Sequence, residues 1–256
     1  MDLGLADKVV WVTGGASGIG AAVVRALAEE GAVPVILDRD EVRARAVAER
    51  VARCGVMGCD LTDAVRMGEV VRGAMDAYGR LDGLVNNAGV NDGAGLGSGR
   101  IRASLEANLL PAVTLTGMVA EALRASRGAV VNIASKVAVT GQGGTSGYAA
   151  AKGALLALTR EWAIDFAPDG VRVNAVLPAE VWTEMYARWI GGRPDPEASR
   201  REIERRIPLG RRMTTPDEIA AMVVFLLSPR SGHTTGQWIH VDGGYAHLDR
   251  AFPAGG

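Results

Sequence analysis

Tyr148 and Lys152 stand four residues apart in the run Ser146-Gly-Tyr-Ala-Ala-Ala-Lys152, and Ser135 precedes the tyrosine by thirteen residues. On a helix, positions i and i+4 share a face, so this phenol and ammonium can converge on one cleft. A phenol with an ordinary pKa of ~10 is a poor base near neutrality, and each unit of depression by a nearby cation corresponds to ~1.4 kcal/mol. The spacing predicts Lys152 as that cation, Tyr148 as the group that moves a proton, and Ser135 as the hydroxyl that orients or polarises a substrate oxygen. A tyrosine and a lysine four apart also fit a solvated helical face. What favours chemistry is their order behind a glycine-rich turn, Thr13-Gly-Gly-Ala-Ser-Gly-Ile-Gly20.

That turn spaces Gly14, Gly18 and Gly20 as G-x-x-x-G-x-G rather than the G-x-G-x-x-G of the usual dinucleotide fingerprint. The physical logic is similar: missing Cβ atoms let backbone approach a pyrophosphate, and the helix that follows offers its positive N-terminus. Gly14, Ser17, Gly18, Ile19 and Gly20 are the expected cradle. Asp38, at the end of the second apolar run, is placed to accept from the 2′ and 3′ hydroxyls of an adenosine ribose and to repel a 2′-phosphate, which predicts NAD over NADP. Arg39 argues the other way, because a guanidinium can hold that phosphate.

Elements able to position these groups follow from the hydropathy pattern. Apolar runs of strand length alternate with segments of helical period, the signature of repeated β-α units and a parallel sheet. Strands are predicted at 8–13, 33–37, 56–59, 81–86, 128–134, 171–177 and 237–241. Helices are predicted from Gly18 to about Glu30, over 42–51 and 64–78, as one long helix from Ile101 to Ala125, and from the Tyr148 segment to Phe166, where Pro168-Asp-Gly170 stops it. Thr215-Pro-Asp-Glu218 reads as the start of a capped helix that ends before Ser228-Pro229. The predicted fold is a single doubly wound α/β domain of the Rossmann type over 1–256, with a seven-stranded parallel sheet and its crevice at the carboxyl ends of the strands. The glycine-dense stretch from Gly89 to Gly99 fits no regular element, and the segment from Glu180 to Pro208 is expected to form a short helical lid.

Composition sets bounds on function. Hydrophobic residues make up 48% of the 256, enough for a large core. A net charge of −1 gives no electrostatic reason to expect nucleic acid or an anionic membrane as partner. Arg200, Arg201, Arg205 and Arg206 alternate with Glu197, Glu202 and Glu204, as a solvated helix face does. Cys54 and Cys59 are too few for a disulfide framework. His233, His240 and His247 are scattered, so no metal site is predicted. With no leader-like start and no apolar run near ~18 residues, a cytoplasmic location is the expectation.

The chain resembles the short-chain dehydrogenase/reductase superfamily over residues 5–245. The matching pieces are the glycine turn, Asn86-Asn-Ala-Gly89, Asn108, Ser135, Tyr148-x-x-x-Lys152, Pro178 and Val241-Asp-Gly-Gly244. The resemblance implies Tyr148 as general acid/base, Ser135 on the substrate oxygen, Lys152 on the nicotinamide ribose and lowering the tyrosine pKa, and Asn108 holding a water in a proton relay. It further implies Asp60 and Leu61 at the adenine, Asn87, Ala88 and Gly89 along the ribose path, and Pro178, Val181 and Thr183 at the carboxamide. A homotetramer or homodimer built on the helices of Asn108 and Tyr148 is also implied.

Ala179 and Glu180 depart from the Pro-Gly pair and apolar residue common after the sixth strand, placing an acid beside the nicotinamide pocket. Together with Gly89-Val-Asn-Asp-Gly93, Thr140-Gly-Gln-Gly-Gly-Thr-Ser-Gly147, Pro208-Leu-Gly-Arg-Arg212 and His247-Leu-Asp-Arg250, they resemble L-fucose dehydrogenases of bacteria within the superfamily. That subgroup implies oxidation of an aldose at its anomeric carbon to the lactone. A polyhydroxylated ring needs directional partners, since each buried polar group left unpaired costs ~1 to 3 kcal/mol. Asn91, Asp92, Gln142, Thr145 and Glu180 are the candidates, with Trp182 or Trp189 stacked on the apolar face of the sugar. The alternatives are a dehydrogenase or reductase of 3-oxoacyl thioesters, steroids or small alcohols, and a catalytically idle nucleotide-binding scaffold.

Overall fold

The structure is a computed structural model and describes residues 2–248. Asp249 and Arg250 of the last sequence motif, and the rest of the expected domain to 256, lie outside the described residues, as does Met1.

Seven strands form one parallel sheet: β1 (Val9–Thr13), β2 (Val33–Asp38), β3 (Gly55–Gly58), β4 (Gly83–Asn86), β5 (Ala129–Ile133), β6 (Arg172–Pro178) and β7 (Trp238–Val241). Their order is β3-β2-β1-β4-β5-β6-β7. Eleven α-helices occur among the described residues: α1 (Gly18–Glu29), α2 (Glu41–Ala48), α3 (Ala64–Tyr78), α4 (Ile101–Asn108), α5 (Leu110–Met118), α6 (Ala120–Ser126), α7 (Val137–Thr140), α8 (Ser146–Phe166), α9 (Glu184–Gly191), α10 (Pro196–Arg205) and α11 (Pro216–Leu227). The predicted fold class, a doubly wound α/β sheet, is what the chain adopts.

Parallel strands covered on both faces read as continuous apolar runs rather than alternating ones. The β1 sequence Val-Val-Trp-Val-Thr is buried throughout. Its side chains divide by strand period: Val10 and Val12 join the layer with α1 and α11, while Val9 and Trp11 join the layer with α3, α5 and the end of α8. β1 pairs with β2 on one side and β4 on the other, so the winding direction reverses between β1 and β4. That reversal opens a crevice at the carboxyl ends of the strands.

The single long helix expected over 101–125 is instead three. Leu109 leaves helical geometry at φ −122° and ψ −55°, and Val119 at φ −105° and ψ 7°. Pro111 explains the first break, since it has no N–H for the Ala107 carbonyl and its ring crowds that carbonyl. Asn108 is thereby left at the end of α4. Other expected boundaries are met closely, except that α2 stops at Ala48 rather than running to 51. Thr215 and Glu218 form the reciprocal capping box at the start of α11. The segment from 180 to 208 holds α9 and α10.

Candidate active site

One cleft at the carboxyl ends of the strands is lined by residues from the glycine turn, from β2, β4, β5 and β6, and from α8 and α9. At its floor, Gly14 has φ +64°, and a Cβ there would meet the Ala88 backbone at 3.0 Å. Gly20 is tighter: a Cβ would lie 2.2 Å from the Gly14 carbonyl oxygen and 2.7 Å from Asn87 Nδ2. Gly20 therefore packs beneath the turn, whereas Gly14, Ser17, Gly18 and Ile19 line the cleft. The Ser17 side chain makes no capping bond to α1, so first-turn N–H groups remain for an anion. Asn87 fixes the turn to β4 by donating from Nδ2 to the carbonyls of Thr13 at 2.9 Å and Gly14 at 3.1 Å. The Thr13 hydroxyl accepts from the N–H groups of Asn87 and Ala88. This backbone cradle fits a dinucleotide pyrophosphate.

Asp38, Arg39, Asp60 and Leu61 line the far end of the same cleft. Asp38 accepts the Ala16 N–H at 3.1 Å and the Asp40 N–H at 2.9 Å, so its carboxylate is braced from both sides of the turn. Hydrogen bonds from the Thr62 backbone and hydroxyl, helped by the Arg39 charge, hold the Asp60 carboxyl below its usual range.

At the near end Ser135, Tyr148 and Lys152 share the cleft wall with Ala88, Gly89, Pro178, Val181 and Thr183. Lys152 is buried in α8 and donates from Nζ to the Ile133 carbonyl at 2.7 Å, with Nζ 5.7 Å from the centre of the Tyr148 ring. The Ser135 side chain is near enough to the Tyr148 phenol to draw its pKa down. The expected tuning requires a correction here: burial pushes the Tyr148 phenol up, and only Ser135 pulls it down. Burial also draws Lys152 down, to about 8. The i, i+4 pair therefore does not by itself make the phenol acidic, because the desolvation that encloses both groups opposes charge on each.

Asn108 does not line the cleft. Its Oδ1 accepts the Val90 N–H at 2.6 Å and its Nδ2 donates to the Ser104 carbonyl at 2.9 Å, so the side chain anchors the glycine-dense loop. A Cβ on Gly89 would lie 2.9 Å from Asn108 Oδ1 and 3.4 Å from Lys152 Nζ, which makes the two groups neighbours across one glycine.

The candidates for a polar substrate are not gathered as expected. Glu180 is neither a free acceptor nor a solvent-facing residue: it ion-pairs with Lys136 and accepts from the Tyr186 hydroxyl at 2.5 Å. Gln142 lines a separate small pocket with Lys136, Thr140, Gly141, Arg206 and Tyr245. Asn91 accepts from Gly93 and Asp92 from Ala94 within their own loop, and Thr145 is buried at the start of α8. Trp182 carries the Arg200 guanidinium over its ring at 4.4 Å, and Trp189 packs edge-on against Tyr186. None of these seven named for the substrate, Asn91, Asp92, Gln142, Thr145, Glu180, Trp182 and Trp189, lines the main cleft. Tyr186, Met185 and Arg188 of α9 do. Thr183 caps α9 by accepting the Tyr186 N–H at 3.2 Å, and that cap is the sequence signal that points the first turn at the cleft.

Among the described residues no group of three or more potential ligands could hold a metal, and no helix is long and apolar enough to cross a membrane. His247 and His240 contact each other through their ring nitrogens at 3.0 Å.

Glycine cradle, strand-end acid, switch-point crevice and the Ser135, Tyr148 and Lys152 cluster define a nucleotide-dependent oxidoreductase, and the chain belongs to the short-chain dehydrogenase/reductase family. The family model that matches residues 14–246 is described as enoyl-(acyl carrier protein) reductase. More particularly, the chain is 42% identical over 243 residues to L-fucose dehydrogenase of Bos taurus, covering 93% of this chain and 89% of the relative. A solved structure of Cj0485 dehydrogenase superposes with TM-score 0.95 at 41% identity, covering 98% of this chain and 99% of the other. Aldohexose dehydrogenase of Thermoplasma acidophilum superposes with TM-score 0.90 at 28% identity over the full length of both chains. The family uses nicotinamide cofactors.

Proposed function

We propose that this protein oxidises the anomeric carbon of an aldose, L-fucose or a related sugar, to the lactone, with NAD preferred to NADP. The observation that carries the reading is the placement of Ser135, Tyr148 and Lys152 in the same cleft as the glycine cradle. Likeness to relatives named for L-fucose and aldohexose oxidation supports the substrate class. When bound, the nicotinamide supplies the acceptor for a hydride from carbon.

The chain's own residues then divide the work. Gly14, Ser17, Gly18 and Ile19 offer backbone to the pyrophosphate, with Gly20 packed below them. Asp38 receives ribose hydroxyls, Asp60 and Leu61 border the base, and Asn87, Ala88 and Gly89 line the path between. Pro178, Val181 and Thr183 border the carboxamide. Ser135 holds the substrate oxygen, Tyr148 takes its proton, and Lys152 with a water near Asn108 carries that proton toward solvent. Positioning and a proton acceptor within reach together account for a large share of such a rate enhancement. Subunits associate as a homotetramer or homodimer through the helices of Asn108 and Tyr148, α9 and α10 form a lid over the cleft, and the protein works in the cytoplasm.

NADH formation across L-fucose, D-arabinose, L-galactose, L-rhamnose and D-glucose tests the reading. Turnover with one or more of these sugars is expected. Silence with all five, alongside turnover of a 3-oxoacyl thioester or a steroid, would transfer the assignment to that substrate class.

A further inference from the structure

Three cleft-lining segments arrive from different parts of the chain: the Ser135 end of β5, the exit from β6 at Pro178 and Ala179, and the first turn of α9. One carboxylate joins them. Glu180 ion-pairs with Lys136, the residue that follows Ser135, and accepts from the Tyr186 hydroxyl of α9. The main chain is braced at the same points. Lys136 N–H donates to the Pro178 carbonyl at 2.9 Å, and the Glu180 carbonyl accepts from Thr214 N–H at 2.9 Å.

The ion pair is sheltered, with side-chain exposure of 6% for Lys136 and 12% for Glu180. The Lys136 ammonium lies 4.0 Å from the centre of the Tyr245 ring. Tyr186 and Tyr245 in turn pack on an apolar cluster of Ile190, Ile207 and Met213. A buried ion pair contributes little net stability compared with apolar side chains of the same volume. What it adds over such packing is direction, because charge-assisted bonds fix distance and angle at both ends. Here the fixed object is Tyr186, which lines the cleft although Lys136 and Glu180 do not. Its hydroxyl donates to Glu180, which leaves the phenol oxygen an acceptor. Burial and the Glu180 charge push the Tyr186 pKa up, so it keeps its proton and stays distinct in role from Tyr148.

We propose that Lys136 and Glu180 are positioning residues that hold Tyr186 and α9 at a set height above Ser135 and Tyr148, making Tyr186 the wall that decides which polyol fits. The choice of a polyol rests on the function proposed above; the clamp itself does not.

Glu180→Gln keeps the shape and strands the Lys136 charge. Amide hydrogen exchange over residues 184–191 of the full chain reads the clamp without any substrate, and about tenfold faster exchange is expected from losing one charge-assisted bond. The KM for whichever substrate turns over should rise about tenfold with a smaller change in kcat, because the group lost acts through Tyr186 rather than on reacting atoms. The Lys136→Met/Glu180→Gln double variant should lose less than the two single variants combined, since it strands no charge. Tyr186→Phe, which removes one oxygen, carries the same exchange test should Glu180→Gln fail to fold. Exchange within about twofold of the parent in the folded variants, on a scale where tenfold is 1.4 kcal/mol, would overturn the proposal even if a sugar were turned over. Faster exchange with no sugar turnover would leave the clamp standing and retire the sugar reading.

Discussion

Lys152 donates from Nζ to the Ile133 carbonyl at 2.7 Å, a bond that ties the middle of the cleft wall on α8 to the end of β5. The ammonium is held there against its own hydration. Burial lowers the Lys152 pKa from 10.5 to about 8. Between those two values the unfolded chain binds a proton that the folded chain has released, so this group makes stability rise with pH across that window. Below pH 8 the full cost of the buried charge is present, on the order of 3 kcal/mol. Lys152→Met should therefore melt higher than the parent at pH 7 while losing activity, and the advantage should shrink as pH approaches 10.5. Chemical denaturation of both proteins at pH 7 and pH 10 measures it. An advantage that is absent at pH 7, or grows with pH, refutes the sign.

Tyr148→Phe removes only the phenol oxygen from the cleft wall. Loss of a general acid/base at the reacting oxygen costs ~10²- to 10⁴-fold in rate. Steady-state kcat should fall by about that factor, with the cofactor dissociation constant, read by fluorescence, close to that of the parent. Near-parental turnover would remove Tyr148 from the chemistry. In the parent, burial pushes the phenol up, so oxidation that needs its deprotonated form should quicken as pH rises through the alkaline range. A flat profile would mean that the proton leaves by another group.

The seven strands, their parallel sheet and the cleft were legible in the sequence because the signals are local and repeated: apolar runs of strand length, a glycine turn, and a Pro-Asp-Gly stop after α8. The helix break at Leu109 was missed although Pro111 was in plain view, because apolar periodicity continues through it while a backbone hydrogen bond does not. Glu180 was recognised as an unusual acid but assigned to the substrate. Its partners Lys136 and Tyr186 lie 44 residues before and 6 after it, and only the folded chain brings them together. A lysine three residues beyond a buried strand end was the available clue, since such residues are seldom enclosed without a counter-charge. The acidity expected of Tyr148 failed for a related reason: sequence spacing gives proximity to a cation but says nothing of how far both groups are desolvated.

The glycines separate into those whose missing Cβ matters and those whose does not. Gly20→Ala would drive a methyl to 2.2 Å from the Gly14 carbonyl oxygen. The turn must move to admit it, so cofactor binding should weaken and stability should fall by about 1 to 3 kcal/mol, as for other overpacked sites. Gly73, inside α3, has nothing within 4 Å of a built Cβ. Gly73→Ala should instead gain roughly 0.5 to 1 kcal/mol from helix propensity. Urea titration of the two variants side by side checks the contrast, and equal midpoints would contradict it.

Cofactor choice turns on a few atoms at the end of β2. Asp38 is braced by the N–H groups of Ala16 and Asp40, which hold the carboxylate at the mouth of the cleft with Arg39 next to it. A carboxylate fixed in that way accepts ribose hydroxyls and repels a 2′-phosphate, whereas the guanidinium attracts one. The expected parent preference is for NAD. Asp38→Ala removes the repulsion and leaves Arg39, so kcat/KM should fall with NAD, rise with NADP, and shift the ratio by about tenfold or more, the equivalent of one charge-assisted bond. Arg39→Ala should move the ratio the opposite way. A parent that already favours NADP, or an Asp38→Ala variant with an unaltered ratio, would mean that Arg39 rather than Asp38 reads the ribose.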